Sequence, residues 1–358
     1  KYANTFPSSD LNILMVDTNL NIKWLKSIGG KYIDGGGNPN NIEVLGDNSI
    51  ICTMPTNSFG VGYPPGNRSD IYIFQLDSLG NLIWSRTIGT YGGDVPMDLK
   101  MLPDSSILIV GMSQYNDTST HNYPYIIRIN KDKTLSYSII LYPIWGFLNQ
   151  IVIHNNNIYV SGLREYYLSG YGCYRHSCIL IEMDILCNIK KLKTFIPNDD
   201  CYSIIQNNLF ISDKKTLLMC GRYYYGYKFY DKSRRYYAVF DTSVNLLESY
   251  IYDTINNFKE YNGLYKSYYY DINNRLLMTS AITKEEASSY YNLAALLIKT
   301  DSSLMSCENK YPLNLIEDTI TYTIVPTGSI TSINQGTVLS WTPTVIEGGV
   351  DSTICFCP

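Results

Sequence analysis

The densest concentration of side chains able to do chemistry is the run Arg222-Tyr223-Tyr224-Tyr225-Gly226-Tyr227-Lys228-Phe229-Tyr230-Asp231-Lys232-Ser233-Arg234-Arg235-Tyr236-Tyr237. Interleaved rings and cations are what stacking on sugars or on single-stranded bases uses. The candidate binding residues in it are Arg222, Tyr223, Tyr224, Tyr225, Tyr227, Lys228, Tyr230, Arg234 and Arg235, and a milder copy at 164–172 adds Tyr166 and Tyr167. The competing reading is a long loop whose rings cover a sheet edge while its cations stay solvated. The three histidines, His121, His154 and His176, have no nucleophile or metal-ligand pattern beside them, so they read as solvated loop residues. Asp17, Asp77, Asp184 and Asp241 each precede Asn or Gly by three or four residues, a spacing that suits calcium but suits a plain turn better. No catalytic residue, metal site or cofactor is expected.

These residues must be held by elements, and the elements repeat. Ile13–Asp17 with Asn21–Trp24 is a hairpin that recurs as Ile71–Asp77 with Gly80–Trp84, and again near Tyr125, Cys178, Tyr237 and Leu296. Its marker Asp or Asn falls at 17, 77, 130, 184, 241 and 301, with gaps of 60, 53, 54, 57 and 60. A second hairpin lies between copies, as at Asn41–Cys52 or Asp98–Gly111, its arms joined by Asn, Asp, Ser and Gly. Four short strands per period, with turn chemistry every 8–12 residues and no helical periodicity, predict an all-β fold of the β-propeller type. Six blades are expected. The inner strands begin near Ile42, Asp98, Gln150, Ser203 and Leu264, and the outer ones carry Trp24 and Trp84. The opening hairpin lacks an inner partner, so the alternating Thr319–Val325 is expected to share the closing blade with it. The predicted division is 1–314 for the repeats and 315–358 for a strand segment that closes the ring or extends to a neighbouring molecule.

Composition narrows the options. The chain has 358 residues, 34 of them Tyr, with 28 Lys+Arg against 32 Asp+Glu and a net charge of -4. That balance supplies no field to hold nucleic acid, and no apolar run is long enough to span a membrane. Opening at Lys1 reads as a processed or trimmed N-terminus. From Cys307 the texture changes, and residues 315–354 contain no Lys or Arg. The turn Asp77–Trp84, the hairpin Asp104–Gly111 and the tail elements Cys307-Glu308-Asn309 and Val345–Val350 together resemble secreted β-propeller repeat proteins of the Bacteroidota. Many of those proteins leave the cell by the type IX route and bear a C-terminal sorting domain, which this sequence lacks. The resemblance implies fold and an extracellular or cell-surface location, and brings no catalytic motif.

Nine cysteines fit an oxidising compartment. Cys173 with Cys178 is expected to close a loop insertion, and Cys307 with Cys355 to pin the tail, while Cys52 and Cys220 read as buried thiols inside apolar strands. A zinc site at Cys173, His176 and Cys178 lacks a second Cys-x-x-Cys element. The functional expectation is a secreted, non-catalytic propeller acting by contact, as an adhesin or a self-assembling filament or surface-layer subunit, with a protein partner or a second copy. The alternative is a carbohydrate-binding or carbohydrate-active propeller, with a glycan as ligand.

Overall fold

The computed structural model describes residues 10–252, 304 and 310–326, apart from 36–40, 61–67, 116–120, 169–172, 199–201, 213, 226–233 and 319. Beyond these it describes the backbone of strands at 258–260, 268–270, 276–284, 293–299, 330–333 and 337–340. The chain divides into two compact units, 1–148 with 322–349, and 149–321 with 350–358. The fold is all-β, and its antiparallel sheets are of the propeller type that the repeats predict.

In the first unit β1 (Leu11–Val16) pairs with β2 (Ile22–Gly29). The next sheet runs β3 (Asn41–Val44), β4 (Ile50–Thr56), β5 (Asp70–Leu76) and β6 (Leu82–Gly89) in spatial order. A third runs β7 (Asp94–Met101), β8 (Ile107–Ser113), β9 (Tyr123–Ile129) and β10 (Leu135–Tyr142). The second unit holds the sheet β11 (Trp145–His154), β12 (Asn157–Leu168), β13 (Cys173–Asp184) and β14 (Ile189–Pro197). Beside it lies β15 (Tyr202–Ile211), β16 (Leu217–Tyr225), β17 (Arg234–Phe240) and β18 (Leu246–Tyr252). A further sheet comprises β19 (Phe258–Glu260), β20 (Tyr268–Tyr270), β21 (Leu276–Lys284) and β22 (Leu293–Lys299).

The continuous apolar runs follow from sheets being covered on both faces. In the sheet β3–β6, Cys52, Met54, Tyr72 and Phe74 pack against Ile13 and Ile28 of the opening hairpin. The alternate residues Ile51, Ile71, Ile73 and Ile88 pack against Leu99, Ile109, Tyr125 and Ile127 of the next sheet. In the second unit Tyr159, Cys178, Leu180 and Phe195 meet Ile204, Met219, Tyr236 and Phe240 across the two sheets. Full burial of each such side chain contributes about 1.5–3 kcal/mol. Polar latches join neighbouring sheets at their turn ends: Trp24 Nε1 donates to Ser78 O at 3.1 Å, and Lys191 Nζ to Ser243 O at 3.0 Å.

The Asp turns are structural. Asp17, Asp77, Asp184 and Asp241 each accept N–H bonds from residues two and four positions on, and the other carboxylate oxygen accepts from the Asn side chain at the fourth position. Those carboxylates are engaged by N–H donors, which explains their position without a cation. The third residue after each Asp is left-handed: Leu20 (φ 65), Gly80 (φ 79), Cys187 (φ 66) and Val244 (φ 62).

The tail meets expectation in laying a C-terminal strand beside the opening hairpin and departs from it in which residues do so. β23 (Lys310–Pro312) joins the edge strand β18, and β24 (Leu315–Asp318) joins β14. In the first unit β25 (Thr323–Pro326) joins β10, β26 (Ile330–Ile333) joins β6, and β27 (Thr337–Ser340) joins β2. Each is a fifth strand laid antiparallel on a four-stranded sheet or a third on the opening hairpin. The partners are met in the reverse of chain order. Thr319–Val325, read as the strand partnering the opening hairpin, instead places Thr323–Val325 on β10, and it is β27 that lies beside β2. The strands bearing Trp24 and Trp84 are therefore covered rather than outermost. The reason is edge chemistry: each four-stranded sheet leaves a row of N–H and C=O groups, and a charge-poor Thr/Val/Ile segment satisfies them in turn.

Candidate functional site

The two tyrosine-rich segments meet in the second unit. β12 and β13 form a long hairpin whose pairing runs to Leu168 and Cys173, while β14 pairs with β13 only from Cys178 on. β13 thus runs past its ladder with β14 while β12 keeps β11 as its other neighbour, and the hairpin places Glu165 opposite His176 and Tyr166 opposite Arg175. Directly opposed residues share a face. His176 Nε2 lies 3.3 Å from Glu165 Oε1, with the imidazole side chain 7% exposed and the carboxylate 42%. The backbone N–H of His176 donates to Ser203 Oγ at 3.1 Å, from β15. The other ring nitrogen, Nδ1, bonds the Tyr224 hydroxyl of β16.

Donor roles follow from what each group can do. A carboxylate only accepts, so Nε2 carries a proton toward Glu165, while Nδ1 shares a hydrogen bond with the Tyr224 hydroxyl. Burial holds the Tyr224 phenol far above its ordinary ionisation range, although the Ser203 hydrogen bond and the Arg222 charge act the other way. The phenol stays a donor. Toward solvent, the Arg164 guanidinium lies 5.0 Å over the Tyr166 ring, and its Nη1 is 2.5 Å from Asp318 Oδ2 of β24. Burial raises the Tyr166 pKa, with Arg175 opposing it by charge. The result is a half-exposed carboxylate backed by a buried imidazole and phenol on one face of the hairpin, and a cation-capped ring on the other.

Of the expected binding residues, Tyr166 and Tyr224 both border this hairpin but on opposite faces, Tyr166 with Arg164 and Arg175 and Tyr224 with His176. Arg222 lies beside Tyr224 in charge and directly opposite Arg235, which is buried, and Tyr223 packs partly against the core opposite Arg234. Tyr167 and Tyr225 are placed on β12 and β16, opposite Tyr174 and Tyr202. Tyr227, Lys228 and Tyr230 lie outside the described residues, as do Cys307 and Cys355. The long-loop reading of 222–237 is corrected, since β16 runs through Tyr225 and β17 resumes at Arg234. Neighbouring strands supply partners to that backbone, and tyrosine suits a strand as well as a loop.

The Cys173–Cys178 disulfide is also corrected. Both residues lie on β13, where five residues of extended chain separate their Cα atoms by about 16 Å, beyond the roughly 7 Å a disulfide tolerates. Cys178 is a buried free thiol 2.8 Å from the Tyr236 hydroxyl, and burial pushes its pKa up to about 12. Cys52 and Cys220 are buried free thiols, as expected. His176 is a core residue rather than a solvated one; His121 stacks on Trp145 with ring centroids 3.8 Å apart, and His154 is bonded to the Asn155 side chain.

Among the buried carboxylates that sequence reasoning missed are Asp34 and Asp94. Asp34 accepts from Gly30 N (2.7 Å), Thr56 Oγ1 (2.5 Å) and Ser58 Oγ (2.6 Å). Asp94 accepts from Thr90 N (2.5 Å) and Thr90 Oγ1 (3.0 Å), with the Ser113 hydroxyl also bonded. Burial raises the Asp94 pKa to about 7. Their separation equals the 60-residue gap between Asp17 and Asp77, a signal open to sequence inspection.

No family model and no curated protein matches the chain. Among solved structures, the endo-arabinase of Bacteroides thetaiotaomicron VPI-5482 aligns at 11% identity over 72% of this chain and 92% of its own, with a TM-score of 0.37. A structure of a BT0996 complex with RGII aligns at 11% identity over 82% of this chain and 90% of its own, with a TM-score of 0.36. At these values the likeness reaches the fold and not the residues. The expectations of a contact-only adhesion or filament subunit, and of a protein without catalytic activity, find no support beside an endo-arabinase and an RGII complex and are withdrawn.

Proposed function

We propose that the protein is an exported propeller that recognises a carbohydrate at the distal arms of the β12–β13 hairpin. One arrangement carries the reading: on one face the Arg164 guanidinium caps the Tyr166 ring, and on the other the buried His176 holds the half-exposed Glu165. A sugar offers an apolar C–H face to a ring and hydroxyl groups to charged donors and acceptors, and the two faces of the hairpin between them supply both kinds of partner. The His176–Tyr224 pair fixes Glu165 so that little side-chain freedom is lost on binding.

Calorimetry of the whole chain against a panel of soluble plant and bacterial polysaccharides tests this. Binding that falls at least about tenfold, roughly 1.4 kcal/mol, in Tyr166→Ala and in Glu165→Gln supports the reading. Binding indifferent to both, or none across the panel, overturns it. Release of reducing ends, lost in Glu165→Gln, would extend the proposal to hydrolysis, for which a second carboxyl group about 5–10 Å away must flank the bond.

A further inference from the structure

A groove of about 350 Å³ lies on the turn side of the first unit, lined by Leu45, Asp47, Met101, Ser105, Lys131 and Lys133 among others. Three hairpin turns build it: β3–β4, β7–β8 and β9–β10. Its volume falls at the low end of the roughly 300–1,000 Å³ typical of ligand sites. Leu45 and Met101 form an apolar wall that is partly buried against the core.

The charged groups are held in place. Lys133 occupies a left-handed turn position (φ 71) closed by hydrogen bonds from Asn130 N to Thr134 O and from Lys133 N to Asn130 O. Its ammonium lies 5.1 Å over the Trp84 ring. Trp84 Nε1 donates to Gln75 Oε1 (2.6 Å), Gln75 Nε2 to Ser49 Oγ (2.8 Å), and Ser49 Oγ to Asp47 Oδ1 (2.6 Å). This chain of bonds runs from beneath one wall to the carboxylate in the other. The nearby acids are offset by other cations: Asp104 by Arg128 at 2.5 Å, Glu43 by Lys100 at 2.6 Å, and Asp132, which accepts from Thr134 Oγ1 at 2.6 Å, by the charge of Arg86. Among the described residues neither Lys131 nor Lys133 is in an ion pair. Burial lowers the Lys133 pKa, a cost that a bound anion would offset.

Two ammonium groups against one carboxylate leave the groove one positive charge in excess. We propose that it binds an acidic saccharide, with the carboxylate of a hexuronate between Lys131 and Lys133 and the sugar hydroxyls on Asp47 and Ser105. A dianion such as a phosphate monoester would meet Asp47 at greater electrostatic cost. The inference rests on the carbohydrate reading and adds a second site and a ligand class to it.

The test is calorimetry of the whole chain with trigalacturonate and with its carboxyl-reduced, neutral counterpart. The expected result is binding of the acidic trisaccharide about tenfold tighter than the neutral one. That preference is lost in Lys131→Met/Lys133→Met, retained in Lys131→Arg/Lys133→Arg, and indifferent to Tyr166→Ala; unchanged melting of the variants shows that they fold. Equal binding of both sugars overturns the acidic site and leaves the carbohydrate reading standing. A preference that survives the Met variant overturns the groove as its location. No binding of either sugar overturns the inference alone when another polysaccharide binds at Tyr166, and both readings when none does.

Discussion

Replacing Asp94 by Asn removes one titrating proton from the interior of the first unit. Asp94 is fully buried, and its pKa stands at about 7 against an ordinary 3.8 because burial penalises the charged form more than the Thr90 and Ser113 donors favour it. A carboxyl group with a raised folded-state pKa binds its proton more tightly in the native chain. Its contribution to stability is fully present below about pH 4, shrinks as the pH rises, and is gone above about 7. The whole shift corresponds to about 4 kcal/mol, and the part lost between pH 5 and 7.5 to about 2–3 kcal/mol. Asn keeps the shape, accepts from Thr90 N through its oxygen and donates to the Ser113 hydroxyl, which can turn to accept. Urea denaturation at pH 5 and 7.5, followed by tryptophan fluorescence, should show Asp94→Asn losing about 2–3 kcal/mol less than wild type over that interval. Titrations elsewhere cancel in the difference. Parallel pH profiles for the two proteins would refute the argument that a desolvated carboxyl group fastens the entry of β7 to the end of β8.

Four further outcomes are expected. Leu20→Gly should raise stability by about 0.5–1 kcal/mol in a thermal melt, since Leu20 is 78% exposed at φ 65 and loses no packing. Asp77→Ala should lower the melting temperature and flatten its fall in acid: the pKa of Asp77 is lowered by the Asn81 bonds, so its contribution is present above about 4 and lost below. Cys52, Cys178 and Cys220 should resist alkylation in the native state and react in urea without reductant, as mass spectrometry would show; protection of Cys178 in unreduced urea would contradict a free thiol. Phe195→Ala should cost about 3–5 kcal/mol in urea denaturation, because it opens a cavity where Phe195 meets Phe240 at 4.8 Å between ring centroids.

Local chemistry was legible in the sequence to the extent that it was local. The Asp-to-Asn turns announce themselves because the hydrogen bonds that close them lie within four residues, and the two-sided sheets do so because a run such as Ile71–Leu76 has no polar face to turn outward. What was misread depends on a partner far along the chain. Whether Tyr223 and Tyr224 sit in a loop or a strand is decided by the pairing of β15 with β16 and by an imidazole 48 residues upstream. Thr323–Val325 alternates as any edge-seeking strand would, and nothing in the alternation tells whether β10 or the opening hairpin receives it. The disulfide error has the same origin, since two cysteines five apart can be bridged in a loop and cannot on a strand, and the conformation of Cys173–Cys178 is imposed by its pairing with 163–168. The candidate site is accordingly an assembly of side chains with ordinary individual signals. Glu165 and His176 acquire a joint role only because an antiparallel register of the long hairpin sets them opposite one another, and a one-residue slip there would send them to different faces.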